Sequence, residues 1–129
     1  MQFDVVVVGG GIAGSSLAGF LADQGINVLI LEKTAEFRDE NRGEMLWPWG
    51  VRQAQLLGVH DILVGAGGHT VSVTRAWSSL TPKARGDVDL TGFFPGVDGS
   101  LNLGHPQARQ ALFTPSFLSR RARSQPALL

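Results

Sequence analysis

The chain has 129 residues, a hydrophobic fraction of 43% and a formal net charge of zero, from 11 basic and 11 acidic side chains. That length fits one domain, and the charge balance leaves no overall field drawing the protein toward nucleic acid or an acidic membrane. There is no cysteine, which excludes disulfides, thiolate chemistry and cysteine-held metals and fits a cytoplasmic setting.

The first element is the β-branched run Val5 to Val8. No basic region precedes it and Asp4 interrupts it, so it does not read as a secretory signal. No segment of the chain approaches the roughly 18 apolar residues that would span a bilayer. A run without polar alternation suits a parallel strand covered by helices on both faces. The turn that follows is Gly9-Gly10-Gly11-Ile12-Ala13-Gly14, with Gly9, Gly11 and Gly14 in the G-x-G-x-x-G positions. Each glycine has its own task. Gly9 allows a sharp strand-to-helix reversal, Gly11 lets a pyrophosphate approach the backbone, and Gly14 lets the helix pack closely on the strands. The N–H groups near Ile12 and Ala13 then face the phosphates at the positive end of the helix.

The helix is predicted from Ser15 to about Gln24, with Leu17, Phe20 and Leu21 turned to the sheet and Gly25 as its left-handed stop. Ser15 and Ser16 are candidate phosphate contacts, with no more than one of them expected to serve. Val28 to Leu31 is a second strand, ended by Glu32 some 18 residues beyond Gly14. That is close to the separation of about 20 at which a carboxylate reaches ribose hydroxyls. A carboxylate there repels a 2′-phosphate, so NADP is a poor occupant. Lys33 beside it is a further candidate cofactor contact. Strand, glycine turn, helix, strand and terminal acid together define an α/β, Rossmann-like βαβ unit with a parallel sheet.

Residues 34–44 are dense in charge and read as an exposed loop. Pro48 opens a helix through Val51, Ala54 and Leu57 that Gly58 stops, and 61–64 adds a further turn. Trp47 and Trp49 are expected to pack in the core around Pro48. Residues 71–77 and 88–94 read as strands separated by a polar loop, Asp98-Gly99 as a turn, and 106–113 as a short helix. His60, His69 and His105 are scattered without metal-ligand spacing, so no metal site is expected. Residues 114–129 hold two prolines and three arginines without an acid, and a disordered tail is expected there.

The glycine turn followed by Ala18, Leu21, Gly25, Val28 and Glu32 resembles the FAD-binding fingerprint of flavoproteins of the glutathione-reductase type. Farther on, NRGE, LWPWGVRQAQLLGV and LGHPQARQALF are similar to the corresponding stretches of the group A aromatic-ring hydroxylases. These are single-component FAD monooxygenases related to para-hydroxybenzoate hydroxylase. The resemblance implies an FAD-binding domain at 1–113, incomplete relative to the full glutathione-reductase-type fold, with 114–129 as a non-homologous tail. It also implies that Arg42, in the loop after the second strand, and Arg109, on a later helix, contact the FAD. A guanidinium fork suits pyrophosphate oxygens and the polar flavin edge. The implied activity is hydroxylation of an aromatic or similar small organic substrate with NAD(P)H and dioxygen.

The family's chains are several times longer, and their DG and GD motifs have no counterpart here. The change of character at residue 114 suggests a truncated or frame-shifted product with little activity of its own. The glycine fingerprint alone also admits an NAD-binding Rossmann oxidoreductase, or a non-catalytic fragment that binds no cofactor stably.

Overall fold

The computed structural model describes residues 2–34, 45–75 and 86–114, together with the backbone of 123–126. Strand β1 (Val5–Val8) leads through the glycine turn into helix α1 (Ile12–Asp23) and strand β2 (Val28–Glu32). Strand β3 (Met45–Leu46), helices α2 (Pro48–Leu56) and α3 (His60–Gly65), and strands β4 (His69–Val71) and β5 (Val73–Arg75) follow. The chain continues through β6 (Asp87–Asp89), β7 (Ser100–Asn102), α4 (His105–Leu112) and β8 (Arg123–Pro126).

Among the described residues the strands form three sheets. β1, β2 and β8 form a parallel sheet with β2 in the middle, and β1 lies on β2 from Val5↔Val28 to Val8↔Leu31. β3, β7 and β4 form an antiparallel sheet, and β5 and β6 a separate antiparallel pair. The predicted βαβ unit is therefore present: two parallel strands joined by a helix, with Gly25 at φ 82° just after the helix. The tail departs from its expected lack of regular structure at Arg123–Pro126, whose backbone pairs in parallel with β2. β8 is an edge strand, where a proline costs no ladder bond on the open side.

The core runs from the parallel sheet through α1 and α4 to α3, α2 and β7. It is built from Ala18, Val28, Ile30, Val51, Ala54, Val59, Leu63, Val97, Leu101, Ala108 and Leu112. Which face of α1 is buried differs from the sequence expectation. Ser15, Ser16, Ala18 and Gly19 are buried and Leu21 packs on the core, whereas Leu17 and Phe20 are exposed. The reason is steric: α1 is pressed against β2 and α4, and only a stripe of small residues allows that approach. The expectation of a strand buried on both faces is also corrected. Val5 and Val7 lean on the core, but Val6 and Val8 are 52% and 80% exposed. Val6 and Val8 share their open face with Leu29 and Leu31, as the pairing register and strand pleat require.

α2, α3 and α4 fall within a residue or two of their predicted bounds. Pro48 is buried at the start of α2, yet Trp47 and Trp49 do not join it in the core. They stack on each other at the surface, with ring centroids 5.4 Å apart and planes 2° from parallel. The strand expected over 71–77 is split at Ser72, whose carbonyl accepts from the Leu90 N–H at 2.7 Å, and residues 76 and 77 lie outside the described residues. The strand expected over 88–94 stops early. The Asp89 carboxylate accepts from the Thr91 N–H and hydroxyl at 2.8 and 2.7 Å and bends the chain there. No helix among the described residues is long and apolar enough to cross a membrane.

Candidate cofactor-binding site

The site is built where β1 ends, α1 begins and β2 ends. Gly9 closes the first strand with φ 103°, a left-handed backbone that a side chain would strain. A Cβ on Gly14 would run into the Gly9 carbonyl oxygen and approach Val7 Cγ1 to 3.2 Å. Both glycines therefore do what their motif positions predict. Gly11 differs from both. Its φ is −71°, and a Cβ there would meet nothing within 4 Å among the described residues. Neither conformation nor packing demands glycine at that position, so the open space beside it fits a group that approaches from outside.

Gly11 is also the N-cap of α1, and no side chain caps that end. The N–H groups of the first turn, at Ile12 and Ala13, thus keep their donor capacity for an anion, with the helix dipole behind them. Ser15 and Ser16 do not share in this. Both are buried, and the Ser15 hydroxyl donates to the Gly10 carbonyl at 3.1 Å, which braces the turn from inside.

Glu32 stands at the end of β2, only 6% exposed. Its Oε2 accepts from the Gly10 N–H at 2.6 Å and its Oε1 from the Thr34 N–H at 2.8 Å. Arg109, delivered by α4, brings Nη2 to 3.8 Å from the same Oε2. Burial pushes this carboxyl up, but the hydrogen bonds from Thr34 and Gly10 and the Arg109 charge outweigh it and hold the group below its ordinary range. Glu32 is thus a charged acceptor at neutral pH. A carboxylate has about four lone-pair directions, so acceptor capacity remains for ribose hydroxyls after the two backbone bonds.

The structure therefore brings Gly9, Gly11, Ile12, Ala13, Gly14, Glu32 and Arg109 into one region. Lys33 is exposed next to Glu32. Arg42 lies outside the described residues. Sequence reasoning missed three participants: Gly10, which donates to Glu32; Thr34, which donates to its other oxygen; and Phe113, whose ring lies against Gly10. The one signal for Phe113 was its position four residues after Arg109, which places both on one face of α4.

This turn, uncapped helix start and strand-end acid define a dinucleotide-binding α/β domain of the Rossmann kind. The model of the family described as FAD binding domain matches residues 2–108, and the chain belongs to that family. FAD is accordingly its cofactor. Among related sequences, the squalene epoxidase erg1 of Aspergillus fumigatus is 42% identical over 62 residues, 48% of this chain and 13% of that protein. The 3-amino-4-hydroxybenzoate 2-monooxygenase of Streptomyces cremeus is 34% identical over 82 residues, 63% of this chain and 21% of that protein. Among solved structures, a flavoprotein/dehydrogenase from Cytophaga hutchinsonii superposes with a TM-score of 0.79 at 19% identity, over 98% of this chain and 30% of that one. That likeness concerns the fold. The chain thus spans less than a third of each of these proteins.

Proposed function

We propose that this chain is the adenosine-diphosphate side of the FAD cradle in a flavin-dependent monooxygenase. The whole enzyme would use NAD(P)H and dioxygen to hydroxylate an aromatic or similar small organic substrate. The observation that carries the binding part is the open space at Gly11 beside the uncapped start of α1, with a charged Glu32 at the neighbouring strand end. In this reading the N–H groups of Ile12 and Ala13 hold the pyrophosphate and Glu32 accepts from the ribose. Arg109 holds the carboxylate from one side, and Arg42 and Lys33 are further candidate contacts of the cofactor. The catalytic part is supported by two related sequences whose names describe an epoxidase and a monooxygenase.

Bound FAD supplies the redox and oxygen-activating chemistry, and the protein's share is to hold and orient it. The residues here account for holding one end. Residues 1–113 act in this proposal as a partial FAD-binding domain followed by a tail. A cytoplasmic location belongs to the same proposal, supported by a composition without cysteine.

The test is cofactor retention. The purified chain is incubated with FAD or with NAD, desalted and titrated. Selective retention of FAD, weakened by Glu32→Ala, supports the proposal, whereas selective retention of NAD overturns it.

A further inference from the structure

Gly10 occupies a position that the dinucleotide motif leaves free, and its backbone is not in the left-handed region that favours glycine. A side chain is nevertheless excluded there. A Cβ on Gly10 would lie 2.5 and 2.7 Å from Cε2 and Cδ2 of Phe113 and 3.1 Å from Cβ of Glu32. The same Gly10 gives its N–H to Glu32 Oε2 at 2.6 Å. Phe113 caps the C-terminus of α4, and Arg109, one turn earlier, reaches Glu32 with its guanidinium. One helix face thus presses an aromatic ring on the glycine turn and a cation on the carboxylate that the turn holds.

We propose that Phe113 is a positioning residue for the cofactor carboxylate: its ring seats against Gly10, fixes the Gly10 N–H on Glu32, and so sets the direction in which Glu32 meets the ribose. This rests on the reading that Glu32 binds the ribose of FAD. The physical logic is one of packing. The peptide of Gly10 has the Phe113 ring on one side and the Ser15 hydroxyl bonded to its carbonyl. Without the ring the peptide can tilt, and the carboxylate turns with the N–H it accepts. With a methyl group at position 10, the ring must leave its seat. The two residues are therefore complementary in volume, and either change alone disturbs the same carboxylate.

The experiment measures affinity for ADP, which carries the ribose without the flavin, and for FAD, in the full chain and its variants. Phe113→Ala is expected to weaken both by about tenfold, and Phe113→Leu, which keeps apolar bulk, by less. Gly10→Ala is expected to weaken both by at least as much, and Gly10→Ala/Phe113→Ala to be no weaker than Gly10→Ala alone, because the added methyl no longer meets the ring. The deciding comparison is made in a Glu32→Gln background. There Phe113→Ala should cause no further loss of ADP affinity, because its effect passes through the carboxylate. Equal losses from Phe113→Ala with and without Glu32 would overturn the role of Phe113 and leave the cofactor reading standing, as would a Gly10→Ala variant that binds ADP like the parent. Failure of the parent chain to bind either ADP or FAD would instead overturn the cofactor reading, and this inference with it.

Discussion

The N–H of Gly10 and Oε2 of Glu32 lie 22 positions apart in the chain and 2.6 Å apart in space. That hydrogen bond fastens the turn before α1 to the end of β2, so the acid helps to hold the glycine loop in place before any ligand arrives. Glu32 is thus a structural residue as well as the proposed ribose acceptor, and its titration should be visible in stability.

The sign of that dependence follows from its cause. The folded protein holds the Glu32 carboxyl below its ordinary range, because Thr34, Gly10 and Arg109 together outweigh the effect of burial. Stability from this group is therefore fully present above the ordinary carboxyl value and is lost as pH falls through the lower folded value. Thermal midpoints measured between about pH 3 and pH 7 should fall less steeply at the acid end for Glu32→Gln than for the parent. An equally steep fall in both would show that Glu32 does not titrate as described.

Arg109 lowers the same carboxyl by its charge, from 3.8 Å. Arg109→Gln should raise the Glu32 value toward normal and move the acid loss of stability to higher pH. Adding salt should reproduce little of this shift, because both groups are largely shielded from solvent.

The three motif glycines should separate by mechanism when each is changed to alanine. Gly14→Ala drives a methyl into the Gly9 carbonyl, where backbone has to move, and should cost about 2–4 kcal/mol in urea unfolding. Gly9→Ala meets no atom but carries φ 103°, and should cost about 1–2 kcal/mol. Gly11→Ala has neither problem, so its stability should stay within about 0.5 kcal/mol of the parent. FAD affinity should nevertheless drop sharply in Gly11→Ala. Intact FAD binding in that variant would show that the cofactor does not approach there.

The two faces of the parallel sheet should respond differently. Ile30 is fully buried, and Ile30→Ala should cost about 2–4 kcal/mol. Val8 is 80% exposed, and Val8→Thr should leave the unfolding midpoint nearly unchanged while reducing self-association at high concentration. A large loss of stability in Val8→Thr would mean that this face is covered in solution.

What could be read from the sequence was what is local. The segment from β1 to Glu32 is contiguous, and its strand run, glycine spacing, helix stop and final acid each carry a signal within a few residues. α2, α3 and α4 are marked by Pro48, Gly58 and Pro106 in the same way. The strands β3, β4 and β7 are two or three residues long and too short for a period to show. They exist because His69 finds Asn102 and Met45 finds Asn102 across the sheet. The buried face of α1 was misread for a different reason. Large apolar residues signal burial where there is room, but between α1, β2 and α4 only small ones fit. The contact of Phe113 with Gly10 joins two distant segments, and only the four-residue spacing of Phe113 from Arg109 hints at it.

β4 and β7 pair with Val71 opposite Ser100, so the chain leaves this sheet and returns to it at neighbouring points. Gly99 makes the return possible, because a side chain there would collide with the Val71 carbonyl. Among the described residues between these two points, Val97 belongs to the core and the Gly96 carbonyl accepts from Gln55 Nε2 at 2.8 Å, so the excursion is pinned to α2 just before it returns. The entropic cost of lengthening such an excursion is small, about 0.6 kcal/mol for each doubling. An added stretch should therefore be tolerated within the excursion as long as Val97 and Gly99, its clasp on the core and on β4, are kept.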